Sequence, residues 1–371
     1  MSYSLKRENK GYINIMPLQT GGILTKAAKE VLLEFGDGYS VCDYCEGVLE
    51  KIRHPPIEKF VEKILPSFLG SDIACLTSGA REGKFLVFHS LCKPSDTIIV
   101  DGNKHYTTIV AAERAGLNVI EVANSGYPEY RINVEDYIPL IEKHSPKLIL
   151  LTFPDGNYGN LPDAKRLGEI ASSFKVPFLL NAAYSLGRMP LKMNEVGADF
   201  IIGSAHKSMA SAGPAGVLGM KEEWEDILLK SSKVYKNKKI EFLGCTLRGL
   251  PLATLMASFP EVVERIKGWQ AQVEKARWFS EELEKLGIKQ LGEKPHQHDL
   301  MFFESPMFYK ISQKHPDGRY FLYKELKKRG IWGIKPGLTK NFKLSTFAAS
   351  KEELERVISA FNVIGSQPPS I

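Results

Sequence analysis

Short apolar runs recur through the first two thirds of the chain, each set off from the next by helical spacing. Helix-like P-I-E-K-F-V-E-K-I-L leads into strand-like D-I-A-C-L and then amphipathic G-K-F-L-V-F-H-S-L. Next come T-I-I-V, a helix near Thr107 to Ala115, N-V-I-E-V, a helix near Val134 to Lys143 and K-L-I-L-L-T-F. A further helix precedes P-F-L-L-N and D-F-I-I-G. Short β-rich apolar runs separated by helices predict an α/β fold with a mostly parallel sheet covered on both faces. Ligands of such sheets bind at the carboxyl ends of the strands.

Beyond Pro251 the pattern changes. Leu255, Met256, Phe259, Val262, Val263, Ile266, Trp269, Val273, Ala276 and Phe279 keep helical spacing, which predicts a long helix bridging two domains. L-M-F-F-E reads as a strand, with helices near Tyr320 to Lys328 and Glu352 to Phe361, so the remainder is a small α+β domain. The expected division is an N-terminal segment over 1–56, a large domain over 57–250, the bridge over 251–287 and the small domain over 288–371.

Composition changes this picture little. In 371 residues, hydrophobic content of 43% and charged content of 25% are those of a globular protein. No apolar run nears the roughly 20 residues of a membrane span, and the N-terminus has no apolar core for a signal peptide, so the cytoplasm is the expected compartment and no membrane the expected partner. Five cysteines, an odd number, do not form a secreted disulfide framework. The net charge of +6 is mild, but Lys230, Lys233, Lys236, Lys238 and Lys239 crowd one short run. Such a run repels itself unless water or an anionic partner screens it.

Four polar clusters follow strand ends. D-F-I-I-G-S-A-H-K-S exposes Lys207 just past a strand, and the Gly/Ala-rich S-M-A-S-A-G-P-A-G beyond it lets backbone approach a ligand. L-T-S-G-A-R-E-G-K places free backbone N–H groups at a helix start, an anion site that is neither a P-loop nor a dinucleotide fingerprint. P-F-L-L-N ends in Asn181, and T-I-I-V is followed by His105. An amine, a phosphate cradle, an amide and a flat ring at one sheet edge suit pyridoxal phosphate.

The order of S-G-A at Ser78, His105, Asn157, L-L-N-A-A-Y-S-L-G and A-D-F-I-I-G-S-A-H-K resembles the class V aminotransferase and cysteine desulfurase group of fold-type I pyridoxal-phosphate transferases, which are aspartate aminotransferase-like. The resemblance covers essentially the whole chain. It implies that Lys207 carries the cofactor, that Ala80, Arg81 and Ser204 lie at its phosphate, and that His105 stacks on its ring with Asn157 beside it. It also implies that His206 lies in the cofactor pocket. The group's usual acidic residue opposite the pyridine nitrogen is here Asn181, which can only hydrogen-bond it, so the cofactor is expected to be tuned toward chemistry with a good leaving group.

The cysteines narrow the reading. C-D-Y-C brings Cys42 and Cys45 together after a Gly-rich bend, and Cys245 sits far downstream in L-G-C-T-L-R-G. Three thiols lack the fourth ligand of a structural zinc site. Cys75 and Cys92 lie on apolar elements and read as buried. N-I-M-P-L-Q-T-G-G-I-L-T, C-D-Y-C, T-S-G-A-R-E-G-K and D-G-N-Y-G-N are similar to the archaeal family that makes cysteine on its tRNA from phosphoserine.

That resemblance implies a β-replacement on phosphoseryl-tRNA of the cysteine tRNA. Lys207 would remove the Cα proton, and His105 would protonate the leaving phosphate held by Arg81. Sulfur would arrive on Cys42, Cys45 or Cys245, either as a persulfide or from an iron–sulfur cluster they ligate. Thr246 would reach the neighbouring subunit's cofactor phosphate, making a homodimer the active unit. A phosphoseryl-tRNA synthetase and a sulfur donor are the further partners. The lysine run would meet tRNA phosphates. Lys343 stands in N-F-K-L-S-T where enzymes of free amino acids keep a carboxylate-binding arginine, and an esterified substrate has no such charge. The rivals are a desulfurase or selenocysteine-lyase-like enzyme of free amino acids, with one mobile cysteine, and a non-catalytic tRNA-binding scaffold.

Overall fold

The computed structural model describes residues 5–16, 22–36, 57–236, 238–244 and 249–366. They form two compact units, one running from Gly21 to Trp269 without Tyr127–Glu129, the other taking those three residues, the N-terminus and everything from Gln270 onward.

The first unit is built on a seven-stranded sheet. Its spatial order is Ile73–Thr77, Gly216–Met220, Phe200–Gly203, Phe178–Asn181, Leu148–Thr152, Thr97–Asp101 and Asn118–Val122. Gly216–Met220 is antiparallel to both of its neighbours and the other pairings are parallel. Six strands therefore point one way, and their carboxyl ends share one edge. Leu148 and Leu150 enter one apolar cluster while Ile149 and Leu151 enter another. Both faces are thus covered, the reason these strands are apolar at consecutive positions.

The helix Ala80–Leu91 departs from expectation. It read as amphipathic, yet every residue from Glu82 to Phe88 is buried, Lys84 included. It packs against the strands Phe200–Gly203 and Gly216–Met220 and the helices Tyr106–Arg114 and Glu225–Leu228. Gly83 permits the close approach, since a Cβ there would sit 3.1 Å from Ile202 Cγ2.

The helical spacing over 251–287 is realised as two helices, Leu250–Ile266 and Trp269–Lys285. Lys267 and Gly268 donate to Glu264 and Arg265, tightening the last turn and ending the first helix. The boundary between the units falls just after this break.

In the second unit Asn341–Ser345, Leu300–Glu304 and Lys289–Leu291 form an antiparallel sheet in that order. Phe303, Phe308, Phe321, Phe342 and Phe361 fill its core. The final helix, Lys351–Gly365, starts with a capping box between Ser350 and Glu353.

Candidate active site at the carboxyl edge of the sheet

Asn181 ends its strand with 1% exposure, and neither its amide oxygen nor its amide nitrogen has a hydrogen-bond partner among the described residues. Orphaning both ends of a buried amide costs on the order of 1–3 kcal/mol each unless a ligand supplies the partner. A flat heterocycle with a ring nitrogen would partner one of the two, accepting from the amide nitrogen or, if protonated, donating to the oxygen.

The phosphate cradle follows Ile73–Thr77. Gly79 has φ +132°, a conformation only glycine adopts readily, and caps the helix Ala80–Leu91. The Ser78 N–H donates to Glu82 Oε2 at the start of this helix. A Cβ on Gly216 would come within 2.5 Å of the Gly79 Cα, so that glycine cannot carry a side chain without moving this floor, while at Gly79 the backbone conformation alone requires glycine. Arg81, exposed on the first turn, donates from Nη2 to Tyr106 Oη at 3.2 Å.

Lys207 lies four residues past the end of Phe200–Gly203, and Ser204 follows that strand directly. Burial, and then the charge of Arg188, lower the Lys207 amine to about 8, which favours the neutral, nucleophilic form. His206 is tied down through Nδ1, 2.6 Å from the Ala215 carbonyl and 3.1 Å from the Ala215 N–H, and burial lowers its pKa.

His105 caps the helix Tyr106–Arg114 through Nδ1, which accepts the Thr107 N–H. A Cβ on Gly156 would sit 3.7 Å from His105 Cδ2, so glycine leaves that side of the ring clear. Asn157 belongs to a turn organised by Asp155, whose Oδ1 accepts the N–H groups of Asn157 at 2.9 Å and Tyr158 at 2.6 Å. Burial raises Asp155 to about 6 and Asp101 to about 7.

The sequence-predicted residues Ala80, Arg81, His105, Asn157, Asn181, Ser204, His206 and Lys207 all stand on segments that leave this one edge. Cys42, Cys45, Cys245 and Thr246 lie outside the described residues. Cys75 and Cys92 are buried as expected, and burial pushes the Cys92 thiol up to about 11. Sequence reasoning missed Lys84, Tyr106, Asp155 and Arg188. For Tyr106 the signal was its place beside His105; for the others it was burial, which the sequence conceals.

A family model for O-phosphoseryl-tRNA(Sec) selenium transferase matches residues 85–365. The O-phospho-L-seryl-tRNA:Cys-tRNA synthase of Methanosarcina acetivorans is 57% identical over 366 residues, which are 97% of this chain and 95% of its own. The chain belongs to the O-phospho-L-seryl-tRNA:Cys-tRNA synthase family. A crystal structure of a SepCysS–SepCysE N-terminal domain complex resembles it with a TM-score of 0.89 at 50% identity, covering 98% of this chain and 96% of that one. A serine palmitoyltransferase from S. paucimobilis with bound PLP is only 16% identical but has a TM-score of 0.72 over 95% of this chain and 87% of its own. That likeness gives the fold, the expected fold-type I architecture. The synthase family's cofactor pocket is thus sought at the edge already described, and the residues there fit a pyridine ring carrying a phosphate and an aldehyde. Asn181 offers an unmatched amide, Gly79 and Ala80 a helix N-terminus, and Lys207 an amine kept reactive.

Proposed function

We propose that this enzyme converts O-phosphoseryl-tRNA of the cysteine tRNA into cysteinyl-tRNA, with pyridoxal phosphate held on Lys207. One observation carries the reading. An amine that burial keeps near neutrality stands on the same sheet edge as a helix N-terminus whose first turn bears an exposed arginine. Relatives of the same length named for this reaction support the substrate.

Ala80 and Ser204 would offer backbone and hydroxyl donors to the cofactor phosphate, Asn181 would hydrogen-bond the ring nitrogen, and His105 would cover the ring with Asn157 and His206 beside it. Bound there, the cofactor supplies an electron sink that acidifies the Cα–H of the attached amino acid. Lys207, as its free amine, would accept that proton. Arg81, steadied by Tyr106, pairs with the substrate phosphate through its planar guanidinium. His105 gives a proton to the departing phosphate oxygen as the Cβ–O bond breaks. Sulfur carried by Cys42, Cys45 or Cys245 would then bond to Cβ, either as sulfide from an iron–sulfur cluster or as the outer sulfur of a persulfide whose S–S bond a second of these thiols breaks, leaving a Cys–Cys disulfide, and Lys207 would return the proton to Cα.

A homodimer in which Thr246 reaches the partner's cofactor phosphate belongs to the same proposal. So do a sulfur donor and a phosphoseryl-tRNA synthetase as partners, and a relative's complex with the SepCysE N-terminal domain supports a helper of that kind. The run from Lys230 to Lys239 forms a turn closed by a Ser231–Lys239 bridge, with Lys230, Lys233, Lys236 and Lys238 exposed, which suits tRNA phosphates. No helix among the described residues is long and apolar enough to cross a membrane, which accords with action in the cytoplasm.

The test is anaerobic incubation with phosphoseryl-tRNA and sulfide, comparing wild type with Cys42→Ala, Cys45→Ala and Cys245→Ala. Cysteinyl-tRNA should form with wild type and fall in the variants. Unimpaired variants would remove the thiols from the mechanism, and equal reaction of free phosphoserine would remove the tRNA.

A further inference from the structure

Lys84 has no part in the chemistry above, yet it is a nearly fully buried cation, 1% exposed, on the helix that forms the cradle. A helical lysine ordinarily extends its ammonium to water. This one ends between two hydroxyls of the neighbouring helix, with Nζ 2.7 Å from Thr107 Oγ1 and 3.3 Å from Thr108 Oγ1. Thr107 Oγ1 lies 2.9 Å from His105 Nδ1, and the Thr107 N–H faces the same nitrogen at 3.4 Å.

The direction of this chain of bonds is fixed by its ends. Protonated Lys84 only donates, so in that state the Thr107 oxygen accepts from it and directs its own hydrogen to Nδ1. The backbone N–H also only donates. Nδ1 is therefore an acceptor, and the ring's proton resides on Nε2.

We propose, on the reaction reading given above, that Lys84 is a positioning residue for His105. Through Thr107 it fixes the Nε2–H tautomer and replaces the proton that His105 gives away. The transfer balances. Nε2 loses a proton to the departing phosphate oxygen, Nδ1 gains the Thr107 hydroxyl proton, and Thr107 regains one from Lys84, which is left neutral. Burial first, then Lys207 from the loop past Phe200–Gly203 and Arg81 on its own helix, lower the Lys84 amine to about 7, while Asp101 at the end of Thr97–Asp101 acts to raise it. An amine so placed gives up a proton at neutral pH at little cost.

The experiment compares wild-type holoenzyme with Thr107→Val, Thr107→Ser and Lys84→Met. Histidine-selective 15N NMR reads the His105 tautomer, and single-turnover phosphate release from phosphoseryl-tRNA reads the proton transfer. Wild type should show an unprotonated Nδ1. Thr107→Val leaves Nδ1 only the longer backbone contact, so it should populate both tautomers and slow release by about 100-fold with KM little changed, and Thr107→Ser should restore both. Lys84→Met should slow release to a similar degree, and adding Thr107→Val to it should cost nothing more. If Lys84→Met does not fold, the two Thr107 variants decide. Wild-type tautomer and release rate in Thr107→Val would overturn the proposal. Were wild type itself to release no phosphate, the reaction reading would fall, and the spectrum would still decide the relay. A protonated Nδ1 in wild type rejects it, and an unprotonated one lost in Thr107→Val upholds it.

Discussion

Lys207 and Arg188 share one aromatic ring: Lys207 Nζ lies 5.1 Å from the centroid of Tyr184, and the Arg188 guanidinium carbon lies 4.6 Å from the same point. The ring's face attracts both cations. Arg188 is held there by its Nε, which donates to Ser208 Oγ at 2.9 Å.

This arrangement predicts the pH dependence of cofactor capture. Only a neutral amine attacks an aldehyde, and Lys207 becomes neutral near pH 8 rather than at the 10.5 of a free lysine. The rate of pyridoxal phosphate attachment should therefore rise through about pH 8. Arg188→Met, which removes a neighbouring positive charge that helps lower the amine, should move that rise to higher pH. Borohydride should fix the cofactor at position 207 in both proteins and not in Lys207→Ala; attachment elsewhere would end the assignment.

Asn181→Asp should change the cofactor's visible spectrum. A carboxylate stabilises a protonated ring nitrogen, whereas the amide present here only shares a hydrogen bond with it. Rates should change with the spectrum, and an unaltered spectrum with unaltered rates would place the ring nitrogen elsewhere. Without cofactor the same variant buries an unpaired carboxyl group and should unfold more readily by about 1–3 kcal/mol at neutral pH.

Arg81→Met should retain the cofactor and raise KM for phosphoseryl-tRNA by about 10- to 100-fold, since a charge-assisted bond to phosphate contributes roughly 1.5–3 kcal/mol. Arg81→Lys should recover part of that loss, because a point charge lacks the two-pronged geometry. Tyr106→Phe should show a smaller version of the same defect. Steady-state kinetics with tRNA-bound substrate separates the three.

Asp101 offers a test in stability alone. Its carboxyl is fully buried, its Oδ2 accepts the Thr152 N–H at 2.8 Å, and burial raises its pKa from 3.8 to about 7. Between these two values the folded protein holds a proton that the unfolded chain has lost, so its contribution to stability is present at low pH and is lost as pH rises toward 7. Asp101→Asn keeps an acceptor for Thr152 and removes the charge. Unfolding free energies from denaturant titration should be nearly equal at pH 4 and larger for the variant at pH 8, by on the order of 4 kcal/mol.

Much of this site could be read before any coordinates. Lys207, Asn181 and His105 announce themselves because a parallel sheet is legible as consecutive apolar runs, and the polar residue just past each run must stand at the carboxyl edge. Lys84 was hidden for the opposite reason. A lysine in a helix-forming segment belongs on the wet face by every local rule, and only the packing of two strands and two helices around Ala80–Leu91 buries it. Asp155 and Arg188 were hidden likewise, since their importance lies in being surrounded. The break at Lys267 and Gly268 escaped notice because the apolar spacing continues across it unchanged.

The cradle helix is enclosed from Glu82 to Phe88, and that enclosure has a consequence for a substrate as large as a tRNA. A helix gripped on every side cannot tilt or slide, so its leading amides act as a fixed anchor from which every other distance in the pocket is set. A bulky polynucleotide arriving with its amino acid must then do the adjusting itself, threading a flexible end toward a stationary target.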